Sequence, residues 1–168
     1  MAGSNTSGDA GINAFAQSVE LAVAQAYAAL SNSGKVVSPD AIDATSAFAA
    51  HHQEHAAALG VSAGSRATTT PNRRLATMLT ARVRNAPDER AALEVALTLE
   101  NEAASTYLFA LGSLEATEAL QLSASILPVE SQHAVVLSAL LHKAPEETFP
   151  VFETQDQAFR PDEFPAPS

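Results

Sequence analysis

Cysteine is absent from the 168 residues, which excludes disulfides and thiolate metal sites and leaves the redox compartment unread. Glycine is scarce, at seven residues. Basic side chains are also few, nine against nineteen acidic, and the net charge of −10 argues against nucleic acid or an anionic membrane surface as partner. No apolar run approaches the roughly eighteen residues that a bilayer span needs, so no transmembrane segment is expected. The opening stretch MAGSNTSGDAG has neither the basic nor the apolar region of an export signal. What is plentiful is Ala and Leu, within a hydrophobic share of 46%. With so little Gly, that composition favours closely packed helices in one domain of ordinary size.

Met1 to Gly11 is small and polar and reads as a flexible lead-in. Helix one is predicted from about Ile12 to Ser31, with Phe15, Val19, Val23, Ala26, Tyr27 and Leu30 recurring at three and four. Ser38-Pro39-Asp40 gives N-cap, N1 proline and first-turn acid for helix two, which is predicted to reach Leu59 and stop at Gly60. Its seam is Ile42, Thr45, Ala49, His52, Ala56 and Leu59. From Gly60 to about Pro87 the pattern weakens to loop, apart from a short helix within Pro71 to Arg84; a connection this long suits a crossover along a bundle. Helix three is predicted from Pro87 to about Ser113, and helix four from about Leu114 to Leu141, with Pro128 expected to kink or open it just before Glu130. The remainder, to Ser168, is rich in proline and phenylalanine. It reads as an extended tail laying Phe149, Phe152, Phe159 or Phe164 on the bundle.

Two stretches repeat one polar skeleton. VELAVAQAY holds Glu20 and, seven residues on, Tyr27; LENEAASTY holds Glu100 and Tyr107. About thirty residues after each comes a second pair, His52-x-x-His55 and then Glu130-x-x-His133. Spacings of seven and three place each pair on one face of its helix, and those faces are the apolar ones. A buried carboxylate needs a partner, ordinarily Lys or Arg. Here there is none between Ile12 and Ser31 or between Ser38 and Gly60, only Arg90 at the start of helix three, and none in helix four before Lys143. The balancing charge must therefore come from protonated His, from protons on the carboxyls, or from metal ions. Glu20, His52, His55, Glu100, Glu130 and His133, projected inward from four helices, form a ligand set suited to iron or manganese. Tyr27 and Tyr107 are read as core tyrosines whose hydroxyls could bond to ligand carboxylates. His51 and Glu54 are read as surface residues or as outer partners of the ligands, and His142 as a charge complement at a helix end.

The segments VELAVAQAY, HHQEHAAAL, LTLENEAASTYLFALGSLE and ILPVESQHAVVLSALL resemble the ferritin-like superfamily, and within it the ferritin-like domain proteins of actinobacteria. The resemblance runs from about Ile12 into the tail and implies an all-α, four-helix bundle with a long crossover between helices two and three. It matches Glu20 and Glu100 to the single glutamates of helices one and three, and Glu130 with His133 to the Glu-x-x-His of helix four. Helix two departs from the pattern, carrying His52 where the family has Glu. Three carboxylates and three imidazoles remain, one negative charge fewer, which should weaken a second metal. A dinuclear site, a single ion and a metal-free core all stay open.

As an enzyme, such a protein would be a diiron-type oxidoreductase acting with oxygen or peroxide as small-molecule oxidant. The other reading is a metal-free bundle serving as a structural or partner-binding module, or holding its own copy as a homo-oligomer. Electron transfer through a rubredoxin-like module within the chain is excluded, because that module needs cysteines. Related actinobacterial proteins are often exported, and the polar Gly/Ser start resembles a tether behind such a signal.

Overall fold

The computed structural model describes residues 6–148 and 154–167. Four long helices form the bundle: α1 (Thr6–Asn32), α2 (Pro39–Ala63), α4 (Glu89–Leu111) and α5 (Thr117–Leu140). A shorter helix, α3 (Arg73–Asn85), lies within the crossover, and α6 (Pro145–Thr148) is a single turn. Short loops join α1 to α2 and α4 to α5, so each forms a hairpin. The hairpins face each other through α2 against α5 and α1 against α4, while α3 packs outside on α1. Among the described residues there is no strand.

Two helix ends differ from the sequence expectation. Rather than a flexible lead-in up to Gly11, the chain is helical from Thr6. The reason lies across the bundle: buried Asp9 accepts from the backbone N–H of Glu115 (3.1 Å) and Ala116 (2.7 Å), serving the start of α5. That tertiary contact offsets the helix penalty of Gly8 and Gly11. Likewise α2 passes through Gly60 and ends at Ala63, with Gly64 as C-cap at φ 58°. Gly60 is a close approach, not a stop, because a Cβ there would collide with the Gln17 side-chain amide.

The seam of α2 also shifts at its start. Ile42 is exposed and Ala49 only partly buried, whereas Ala41, Thr45, Phe48, His52, Ala56, Leu59 and Ala63 are buried. Ser38 does occupy the N-cap, yet its hydroxyl makes no cap bond. It donates instead to Glu89 Oε1 at 2.5 Å, tying the loop before α2 to the start of α4. At α4 itself the N-cap is Asp88, accepting from Ala91 N–H at 2.8 Å. Helix α5 runs unbroken through Pro128. Pro128 and Ala124 both lie on its exposed face, where water can take the carbonyl that proline leaves unpaired.

The tail covers the bundle with Phe159 and Phe164, both buried, their rings edge to face at 5.7 Å. Phe149 and Phe152 lie outside the described residues. Asn72 anchors this end: its Oδ1 caps α3 at Leu75 N–H, and its Nδ2 donates to the carbonyls of Phe164 and Pro165, each at 3.0 Å. The apolar core falls into a large cluster containing Tyr27 and Phe48, a smaller one containing Leu59, Tyr107 and Ile126, and a third of Ala110, Leu114 and Ala119. Both tyrosine hydroxyls point to the polar side chains inside the bundle.

Candidate metal centre

Each inward polar residue sits on a buried stripe of its helix. Glu20 comes from α1, His52 and His55 from α2, Glu100 from α4, and Glu130 and His133 from α5. The structure brings all six together. His52 is fully buried between two carboxylates, with Nδ1 2.7 Å from Glu20 Oε2 and Nε2 3.2 Å from Glu100 Oε1. His55, half-buried, places Nδ1 2.9 Å from Glu130 Oε1 and 3.7 Å from Glu20 Oε2. His133 Nδ1 faces Glu100 Oε2 at 3.1 Å and Glu130 Oε2 at 3.4 Å.

The tyrosines cross between the hairpins. Tyr107 of α4 donates to Glu20 of α1 at 2.5 Å, and Tyr27 of α1 donates to Glu100 of α4. Thus the repeated Glu and Tyr of the sequence become a reciprocal pair of hydrogen bonds, each fixing the opposite carboxylate. Burial and the adjacent carboxylates hold both phenols well above their ordinary range, so they remain donors.

In the protein alone the carboxyls divide. Burial pushes Glu20 up, but the charge of His52, its hydrogen bond and the nearby His55 outweigh it and bring the carboxyl to about 2. Glu100 is likewise raised by burial and lowered further by His52 and His133, ending well below the carboxylate range. Glu130 goes the other way, raised by burial and by the charge of Glu20. Burial opposes charge on His52, His55 and His133, but the surrounding carboxylates prevail and raise all three, His55 to about 9.

Glu130 is where the protein fails to satisfy itself. Both its oxygens are buried without a hydrogen-bond partner, and so is His55 Nδ1. The 2.9 Å approach between His55 Nδ1 and Glu130 Oε1 is that of an ion pair whose N–H is not aimed at the oxygen. Such orphaned donor atoms, facing one another in a closed interior, fit a cation that all of them could share. Two sets of four side chains bring one donor atom each within 4.8 Å of one another: Glu20, His52, His55 and Glu130, and His52, Glu100, Glu130 and His133. His52 and Glu130 belong to both. The donors are hard oxygens and imidazole nitrogens, suited to first-row metals such as iron or manganese.

The sequence reading allowed His51 as an outer partner without naming its contact, and it missed Phe48. His51 is exposed, as expected, yet its Nδ1 lies 2.9 Å from His133 Nε2. Phe48 stacks on a face of the same imidazole, ring centroids 4.0 Å apart. Glu54 is exposed and takes no part.

A helical bundle enclosing a His/Glu cluster able to hold a metal defines the class of this protein. The profile of a family described as a ferritin-like domain matches residues 8–143, and the chain belongs to that family. Comparison with curated proteins and with solved structures yields no match.

Proposed function

We propose that the cluster holds one or two iron or manganese ions, with Glu20, His52, His55 and Glu130 around one position and His52, Glu100, Glu130 and His133 around the other, and that the protein is an oxidoreductase acting with oxygen or peroxide. The observation carrying this reading is Glu130, a carboxylate shared by both sets and left with two buried oxygens that have no hydrogen-bond partner. When bound, such ions supply redox electrons and Lewis acidity toward a small oxidant. The chain's own residues do the rest. Tyr27 and Tyr107 fix the orientation of Glu100 and Glu20. Phe48, stacked on His133, covers that side of the buried donors. His55, the least buried of the six, marks the side from which small molecules approach. His52 in place of a carboxylate leaves three negative charges for up to two divalent ions, so the second ion is the weaker.

A second reading has its own support. His52 already bridges Glu20 and Glu100, so much of the cluster can compensate itself without metal. In that case the protein is a helical module in which the buried network serves the fold. Metal content separates the two. After anaerobic ferrous loading, the parent should retain one or two equivalents, the Glu100→Ala, Glu130→Ala double variant none, and the loaded parent should consume oxygen. A parent that folds and retains no metal sinks the metal reading. A parent that holds metal but consumes neither oxygen nor peroxide removes the oxidoreductase assignment.

A further inference from the structure

The cluster's outer edge is completed by a residue outside either set of four. His51 lies on the turn of α2 that also carries Phe48, and both point at His133 of α5. Phe48 covers one face of the His133 ring at 4.0 Å, with 26° between planes. His51 meets the ring's edge, Nδ1 to Nε2 at 2.9 Å, with the two rings tilted by only 21°. Between two imidazole nitrogens one must donate and the other accept. If His133 Nε2 carried no hydrogen, its proton would sit on Nδ1, between Glu100 and Glu130, where a cation is to bind. If Nε2–H donates outward to His51, the Nδ1 lone pair is left for a cation that those carboxylates share. An imidazole ligand is commonly set in this manner, by a partner on its far nitrogen.

We propose that His51 is a positioning residue for the centre: its Nδ1 accepts from His133 Nε2–H and so presents His133 Nδ1 to the ion shared with Glu100 and Glu130. The inference rests on the metal reading above. It also makes the two halves of the centre unequal, since only the His133 half depends on His51, while the Glu20 and His55 half does not.

The test compares the parent with His51→Ala and His51→Asn, whose side-chain oxygen can take the place of Nδ1. Anaerobic titration with ferrous ion should show one equivalent weakened about 10- to 100-fold in His51→Ala, the other unchanged, and parental affinity regained in His51→Asn. Nitrogen-15 spectra of the metal-free protein should show a slowly exchanging His133 Nε2–H that disappears in His51→Ala and returns in His51→Asn. Equal affinity in parent and His51→Ala, or a loss that His51→Asn fails to restore, overturns the proposal. A parent that binds no ferrous ion overturns the metal reading itself, and the spectra then decide the contact alone: an Nε2–H supports it, and a His133 proton found only on Nδ1 refutes it.

Discussion

Replacing Glu130 with Gln should strengthen the metal-free protein while destroying its capacity for metal. Glu130 is completely buried, its carboxyl is pushed up by burial and by Glu20, and neither oxygen has a hydrogen-bond partner. An orphaned buried polar group costs about 1–3 kcal/mol, more when charged. Because the folded pKa is raised, ionising this group above its ordinary 4.5 takes stability away from the fold. The amide has the same shape and no charge, can donate to Glu100, and keeps an oxygen facing His55 Nδ1 in place of the ion pair it removes. A gain of about 1–2 kcal/mol follows, or roughly 2–8 °C in Tm for a domain of this size. Metal acts in the opposite direction. At a hundredfold excess over Kd, one bound ion stabilises the parent by about 2.7 kcal/mol, roughly 5–10 °C. The variant has lost the carboxylate common to both sets of donors, so its Tm should not respond. Calorimetry with and without ferrous ion, under anaerobic conditions, reads both effects. A metal-free variant melting several degrees below the parent, or a variant with the parent's full response to metal, would refute the reasoning.

Further outcomes follow from the same geometry. With Glu20 lowered to about 2 and His55 raised to about 9, the stability these groups give the metal-free protein is complete between about 4.5 and 6.5. It declines as pH falls toward the folded value of Glu20 and as pH rises toward that of His55, with His52 adding to the alkaline loss; Tm measured across pH checks this, and a stability maximum above pH 8 would contradict it. Loaded protein should keep its stability into the alkaline range, because deprotonated imidazole is the form that binds metal. Asn72→Ala should cost about 1–3 kcal/mol, since it removes the α3 cap and both bonds to the tail, and protease should cut the tail before the bundle unfolds. Asp9→Ala should cost about 1–2 kcal/mol through the start of α5, seen as faster amide exchange at Glu115 and Ala116.

The six inward residues were legible in the sequence for a physical reason. Glu and His at helical spacing on Ala-rich seams, with no Lys or Arg nearby, have no use on a surface and no ordinary partner in a core. The repeat of Glu20 with Tyr27 in Glu100 with Tyr107 was equally plain, but not its meaning: spacing gives the face of a helix, and only the packed hairpins show each tyrosine bonded to the opposite glutamate. Phe48 escaped because the seam of α2 was placed one residue off at its start; His51 was read as a surface residue or outer partner, and only the packing of α2 on α5 shows that its partner is His133. Asp9 and Gly60 look like a polar lead-in and a helix stop when read locally. Their roles are set by α5 and by Gln17, more than forty residues away in each case.

By itself, then, the sequence determined an all-helical bundle of two hairpins, the crossover, and the side chains that converge inside, because period, composition and missing basic charge are properties of the chain alone; its ferritin-like character came from the resemblance of particular segments. Tertiary structure alone decided which carboxylate is left unsatisfied, which histidine joins both halves of the cluster, and which phenylalanines close the surface. Those depend on distances between helices of about an ångström, and no local pattern encodes them.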